Sequence, residues 1–370
     1  MERPISRRQT LTLAFLAMLS PYLRLLPGRV TELSGRAAWL CPLAAFPALA
    51  VLVWLLDRAL QGAQPGEGMA GQILRVCGKG VGGGMLLAWT GWILFHAGFL
   101  LRSGADRFIA TIFPDSEPWL FIAVMVLLTL LAAMGTVKAL ARATEIFYPL
   151  MVIVLLVVIA FALPNIHWDY LLPVTARDTV PILNGALVSM NSMCLALLYA
   201  AFLRGHEDTD ASWSRSFLKW LVPVCLLGTA VCVVTIGVFG AVTTGQLAYP
   251  FFIMVRDVSV FNTVERIEAL VVGLWLLPDF VLVTVEVLIA SENLMLLFGG
   301  EKQEGRAVYW TGGGKYVWLC TAAAAVSAVL IAHDTQELDL WSDTIMPAVN
   351  LTLAFAVPLL VLAVEKLRKQ

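Results

Sequence analysis

The sequence predicts an all-α membrane protein of about ten transmembrane helices, arranged five plus five as an inverted repeat. Three observations lead there. Hydrophobic residues make up 59% of the 370-residue chain and charged residues only 14%, with a mean hydropathy of +0.83. That is more apolar surface than one soluble core of this length can cover. Residues 118–134 and 146–163 contain no Asp, Glu, Lys, Arg or His at all, and at about 1.5 Å per residue each approaches the ~30 Å hydrocarbon thickness of a bilayer. Similar stretches recur along the chain with most of the charges between them.

The spans fall near residues 8–27, 37–57, 81–105, 118–136, 145–163, 181–203, 216–240, 267–298, 315–333 and 343–364. Arg7 and Arg8 precede the first apolar run, but no small-residue cleavage site follows directly and a second span begins near Ala37, so an uncleaved first helix is expected. Ten spans put both termini on one side. With the amino terminus inside, the inner connections collect 17 of the 25 Lys and Arg residues and the outer ones 8, while the outer loop 333–343 holds four acids and no Lys or Arg. The excess of basic residues orients both termini toward the cytoplasm. Residues 69–79 and 247–264 read as interfacial; the second mixes Tyr249, Phe251 and Phe252 with Arg256 and Asp257, the pattern of a helix on the outer surface. One membrane domain, 1–370, accounts for the whole chain, its repeats covering about 8–163 and 181–364.

Several function classes drop out. A net charge of -1 with no basic stripe gives nothing to hold nucleic acid. The six cysteines (Cys41, Cys77, Cys194, Cys225, Cys232 and Cys320) are scattered, form no CxxC pair and read as small buried hydrophobes. Gly82-Gly83-Gly84 and Gly312-Gly313-Gly314 lack the Lys-Ser/Thr of a phosphate-binding loop. No catalytic triad or metal constellation stands out, so neither an enzyme nor a cofactor is expected.

An odd number of spans per half forces the second half to run upside down relative to the first, and in such repeats the site lies where equivalent helices are interrupted. Span one carries Leu19-Ser20-Pro21 near its middle, where proline removes an amide donor. Span six carries Ser189-Met190-Asn191-Ser192 at comparable depth. A kinked but continuous helix is the plain alternative, since membrane helices tolerate Ser and Pro when neighbours satisfy the freed groups. If both helices unwind, bare carbonyls would hold an ammonium and a half-helix amide end would face a carboxylate, which suits a small zwitterion such as an amino acid. Trp92, Val188, Ser189, Ser192 and Thr284 would then shape the pocket.

Asp279 and Glu286 stand seven residues apart in span eight, hence on one helix face. Carboxyls in a membrane are costly and are functional candidates, as ion or proton handlers, or else stay protonated or face a partner. His96 is the histidine placed well inside the membrane, either as a hydrogen-bonded core imidazole or as a proton carrier.

The residues also resemble a known family. Leu26-Pro27 through Thr31-Glu32-Leu33-Ser34-Gly35-Arg36-Ala37-Ala38-Trp39 is similar to the junction after the first helix in B subunits of spore germinant receptors of the GerAB type. Arg142-Ala143-Thr144-Glu145-Ile146-Phe147-Tyr148-Pro149-Leu150 resembles that family's approach to helix five, and Arg266-Ile267-Glu268-Ala269-Leu270 followed by Trp275 its helix-eight opening. The resemblance implies the amino-acid/polyamine/organocation transporter superfamily, a LeuT-like five-plus-five repeat and broken helices one and six. It further implies a nutrient-sensing subunit in the inner membrane of a spore, assembled with an A-type membrane subunit and a C-type lipoprotein. Two features depart from the wider superfamily: Leu19-Ser20-Pro21 stands where glycines are common, and span five has no lysine. A secondary amino-acid permease and a structural subunit that binds no ligand are the alternative readings.

Overall fold

The structure is a computed structural model that describes residues 4–64, 66–111, 117–207, 212–247, 249–258, 273–299, 314–331 and 335–368. Among these, ten long helices run where the ten spans are expected. They are α1 Arg7–Ser34, α2 Cys41–Leu60, α3 Met69–Thr111, α4 Pro118–Ala133, α5 Val137–Ala162, α6 Thr179–Phe202, α7 Trp213–Phe239, α10 Leu276–Phe298, α11 Gly314–Leu330 and α13 Met346–Arg368. The shorter α8 Ala241–Gln246, α9 Pro250–Val258 and α12 Thr335–Leu340 lie between them. Seven helical stretches are long and apolar enough to cross a membrane, and α4 and α11 are shorter apolar helices.

Local chemistry sets the helix ends. Ser6 and Gln9 form a capping box at the start of α1, with the Gln9 amide donating to Ser6 Oγ and the Ser6 amide to Gln9 Oε1. Thr136 caps α5 by accepting from the Ala139 amide at 3.1 Å. In α3 the winding breaks at Gly78, whose φ of 78° favours glycine, so residues 69–77 form a separate helical segment ahead of the span proper. The break falls within the 69–79 segment expected to be interfacial.

The helices sort by burial. From Ser189 to Phe202 every residue of α6 is buried, which is the pattern of a helix surrounded by protein. The pairing of α1 with α6 is the most extensive in the bundle; α3 packs on α10 and α11, and α2 on α6 and α7. On the perimeter, Leu120, Leu127 and Leu131 of α4 and Ile146, Ile153 and Phe161 of α5 stay exposed, a surface for acyl chains. Because lipid is as apolar as leucine, close backbone approach and internal hydrogen bonds hold such a bundle together. Gly98 shows the approach: a Cβ there would stand 2.7 Å from the Ala328 amide nitrogen and 2.8 Å from the Ala324 carbonyl oxygen of α11.

Two expectations need correction. Helices one and six are not interrupted. α1 is continuous through Leu19, Ser20 and Pro21, and α6 through Val188, Ser189, Asn191 and Ser192. Pro21 removes one intrahelical donor, the amide that would serve the Ala17 carbonyl, and the turn survives that loss. In α6 the Ser189 hydroxyl donates to the Gly185 carbonyl at 3.1 Å, so its polarity is met along its own helix and no unwinding is needed. The second correction concerns 247–264. Phe251 and Phe252 are buried against Trp275, with ring centroids 5.8 and 5.1 Å away, and do not face the membrane surface. The side chains of Arg256 and Asp257, residues 259–264 and the 266–270 motif lie outside the described residues.

Gly98→Ala should lower the thermal midpoint of the purified chain in detergent, at a cost of about 1–3 kcal/mol for overpacking against fixed backbone. Gly84→Ala, which meets nothing within 4 Å, should leave the midpoint unchanged or raise it slightly.

Candidate functional site

The polar groups buried in this apolar bundle converge on one face of α10. Asp279, Glu286 and Asn293 recur every seven residues, about 10 Å apart along the axis, and each is buried. Each meets a partner on α3 in reverse order: Arg107, His96 and Thr90 respectively. The two helices therefore run antiparallel with their polar stripes in register.

At one end Asp279 sits in the first turn of α10, where the helix dipole favours an anion. Arg107, 3% exposed, pairs through Nη2 with Asp279 Oδ2 and donates through Nη1 to Ser20 Oγ of α1 at 3.1 Å. Its guanidinium also stands over the Phe252 ring, 5.4 Å from the centroid. This cluster ties α1, α3, α9 and α10 together.

Deeper in the bundle, Glu286 is fully buried. Its Oε1 lies 2.6 Å from His96 Nδ1 and accepts from the Tyr199 hydroxyl of α6, also at 2.6 Å. Its Oε2 is buried with no hydrogen-bond partner among the described residues. Toward the other end, Asn293 Nδ2 donates to Thr90 Oγ1 at 3.1 Å.

A second chain crosses between helices. Trp92 Nε1 of α3 donates to Asn350 Oδ1 of α13 at 2.9 Å, and Asn350 Nδ2 donates to Asn191 Oδ1 of α6 at 3.0 Å. Asn350 is fully buried, so both ends of its amide are used where an unmet group would cost about 1–3 kcal/mol.

Of the residues singled out by sequence, Ser20, Trp92, His96, Asn191, Asp279 and Glu286 thus take part in contacts between helices. Leu19 and Ser192 are buried, and Val188 is half-buried against the core. Ser189 and Thr284 spend their hydroxyls on their own helices, Thr284 donating to the Phe280 carbonyl at 2.6 Å. Sequence reasoning missed Arg107, Tyr199 and Asn350. The available signal was the seven-residue spacing of Asp279, Glu286 and Asn293, which demands partners on a facing helix.

Two cavities adjoin these contacts. A polar one of about 280 Å³ opens between α1, α3, residues 245–247, Tyr249, Leu338, Ser342 and Asp343, with Arg24, Phe99, Ser103 and Asp106 in its wall. An apolar groove of about 610 Å³ runs between α3, α4 and the start of α10, lined by Phe108, Leu120, Phe121 and Phe280. Among the described residues no cluster of His, Cys, Asp and Glu is arranged to hold a metal ion.

Breaking the Arg107–Asp279 pair from either side removes the opposite charge from a buried ion. Arg107→Gln and Asp279→Asn should each destabilise the chain by roughly 3–5 kcal/mol. The double variant should lose clearly less than the sum, read from thermal unfolding of the three purified proteins.

Comparison with known proteins places this arrangement. Curated proteins give no match to the sequence. Among solved structures, MhsT in complex with L-phenylalanine superposes with a TM-score of 0.56 at 14% identity, covering 98% of this chain and 99% of that one. A mutant manganese transporter of Eremococcus coleocola gives 0.58 at 13% identity, covering 97% of this chain and 81% of that one. At such identities the likeness is one of fold, the LeuT fold. The profile of the spore permease family, described as spore germination protein, matches residues 4–334. With its apolar spans and this match, the chain is an integral membrane protein that belongs to the spore germination protein family.

Proposed function

We propose that the chain is the nutrient-sensing subunit of a spore germinant receptor. In this reading it binds a small germinant such as an amino acid within a transporter fold and triggers germination by shifting a two-state equilibrium passed to its partners. The observation that carries the reading is the seam of buried polar side chains linking α1, α3, α6, α10 and α13. Polar groups at such depth are expensive and are kept for a task. Family membership supports the germination role, and a fold neighbour seen with L-phenylalanine supports a ligand of amino-acid size.

The ligand would lie among Ser20, Trp92, His96, Val188, Asn191, Ser192 and Thr284, along the seam. Since α1 and α6 are wound there, recognition falls to side chains. A nutrient that exchanges for part of the Trp92–Asn350–Asn191 chain would bind one packing of the helices better than the other. That differential affinity is what shifts the equilibrium. The partners in this proposal are an A-type membrane subunit and a C-type lipoprotein, in the spore inner membrane, with both termini cytoplasmic and the whole chain acting as one domain.

The cluster of Glu286, His96 and Tyr199 favours a second reading, an ion-coupled amino-acid permease. A buried carboxyl whose one oxygen meets both an imidazole and a phenol hydroxyl in the middle of an apolar bundle is a candidate ion handler. Vesicles holding this chain alone separate the two readings. Absence of concentrative uptake of radiolabelled amino acids agrees with sensing, whereas robust uptake moves the assignment to a permease.

Asn191→Leu in spores should raise the nutrient concentration for half-maximal germination by about tenfold, the equivalent of roughly 1.4 kcal/mol for an unmet Asn350 amide. Receptor abundance, followed by immunoblot, should hold. An unmoved dose curve at normal abundance would mean the nutrient does not bind along the seam.

A further inference from the structure

The 280 Å³ polar cavity stands one turn along α1 from the seam, since Arg24 follows Ser20 by four residues on the same helix face. Most of the charges around it are already matched. Arg29 pairs with Glu32 and lies 3.6 Å from Asp343. Arg107 is held by Asp279 and Ser20. Two groups in the wall are not matched in this way. Arg24 is only 8% exposed, yet it makes no hydrogen bond or ion pair among the described residues. Its Nε is buried without a partner, and its contact is with the Phe99 ring, 5.3 Å from the guanidinium carbon. Asp106 meets Arg102 through Oδ1 at 3.5 Å, while its Oδ2 is buried with no partner among the described residues.

A cation and a carboxylate thus line one cavity with no ion pair between them among the described residues. Leaving either unmet is costly. One solute satisfies both, namely a molecule that carries an anion and a cation a few ångströms apart. The planar guanidinium fork matches a carboxylate in particular. At about 280 Å³ the space falls below the roughly 300–1,000 Å³ of sites for drug-sized ligands, so the solute is small. Phe99 supplies an apolar wall, and its ring also lies 6.4 Å from that of His96. An occupant would therefore touch Phe99, whose ring neighbour His96 meets Glu286.

We propose that this cavity is a zwitterion-binding site in which Arg24 receives the α-carboxylate of a small amino acid and Asp106 its α-ammonium. It rests on the reading of the chain as an amino-acid binder, but it places the charged ends of the ligand beyond the seam, at the end of the bundle read as outer. Occupancy here would act on the seam through Phe99 and His96.

The test uses the full-length chain in lipid nanodiscs. Each of the twenty standard amino acids is titrated, with thermal midpoint and equilibrium dialysis as readouts. Any that binds is compared with its amide, which lacks the carboxylate, and with its N-acetyl form, which lacks the ammonium. At least one amino acid should bind the wild-type chain, and Arg24→Gln and Asp106→Asn should each weaken it by tenfold or more. The amide should lose its sensitivity to Arg24→Gln and the N-acetyl form its sensitivity to Asp106→Asn. Arg24→Lys, which keeps the charge but not the fork, guards against a folding defect and should give an intermediate affinity in a chain that elutes as wild type. Binding that survives in the Arg24 and Asp106 variants but is lost in Asn191→Leu would overturn the outer site and leave the seam as the receptor pocket. Failure of all twenty to bind the wild-type chain would overturn both.

Discussion

In a membrane bundle a buried polar group without a partner inside the protein is costly, and the face of α10 bearing Asp279, Glu286 and Asn293 concentrates that demand on one helix. Water is not there to make up a missing bond, so a one-residue slip between α3 and α10 would strand a carboxylate, a guanidinium and an amide together. The pairs Arg107–Asp279, His96–Glu286 and Thr90–Asn293 therefore fix register as well as contribute enthalpy. Ser20 and Tyr199 then bring α1 and α6 to the same seam, one through Arg107 and the other through Glu286. A buried ion pair is weak evidence for stability. Its clearer role here is to allow one arrangement of four helices and to penalise the others.

That arrangement depends on small residues where backbones meet. Gly185 of α6 leaves no room for a side chain, since a Cβ would lie 2.6 Å from Cys41 Sγ and 3.0 Å from Val30 Cγ1. With α6 drawn in this far, its polar residues reach across the bundle, and Asn191 meets Asn350 of α13. Bulk and polarity are thus linked. A larger residue at a crossing point would push apart side chains whose hydrogen bonds have no substitute in hydrocarbon. This is also the property a receptor of this fold would use, because a bundle held by discrete polar matches has discrete alternative packings.

The membrane architecture was legible because spans are long and hydropathy is averaged over many residues. Among the described residues each of the ten expected spans overlaps a long helix, and the separate segment ahead of span three appears as the Gly78 break. The site was legible only in part. Asp279, Glu286 and His96 stood out because charge inside an apolar run is rare. Arg24 and Arg107 did not, because basic residues near helix ends also signal orientation and were counted as loop charges, although α3 continues to Thr111 and buries Arg107. Tyr199 and Asn350 are single polar tips in apolar sequence, and what gives them meaning is the partner across the bundle. The expected interruptions failed for a related reason. Ser20-Pro21 and Ser189 through Ser192 mark polarity within a helix, but sequence does not say whether it is met by unwound backbone or by a side chain elsewhere. Here Arg107, Asn350 and the Gly185 carbonyl meet it.

Continuous α1 and α6 change how such a fold would read a ligand. Unwound segments offer carbonyls and amides that are the same in every sequence, so recognition by them carries little side-chain signature. In a wound helix each of those groups is spent on its own turn, apart from carbonyls opposite a proline such as Ala17 opposite Pro21. Recognition then has to come from side chains, and specificity becomes a property of particular residues. Asn191, Trp92 and Asn350 would read hydrogen bonding, while Arg24 and Asp106 would read charge. In low-dielectric surroundings those charges act strongly and with little screening. A receptor built this way would change its ligand by replacing a few side chains while the helix winding stays fixed.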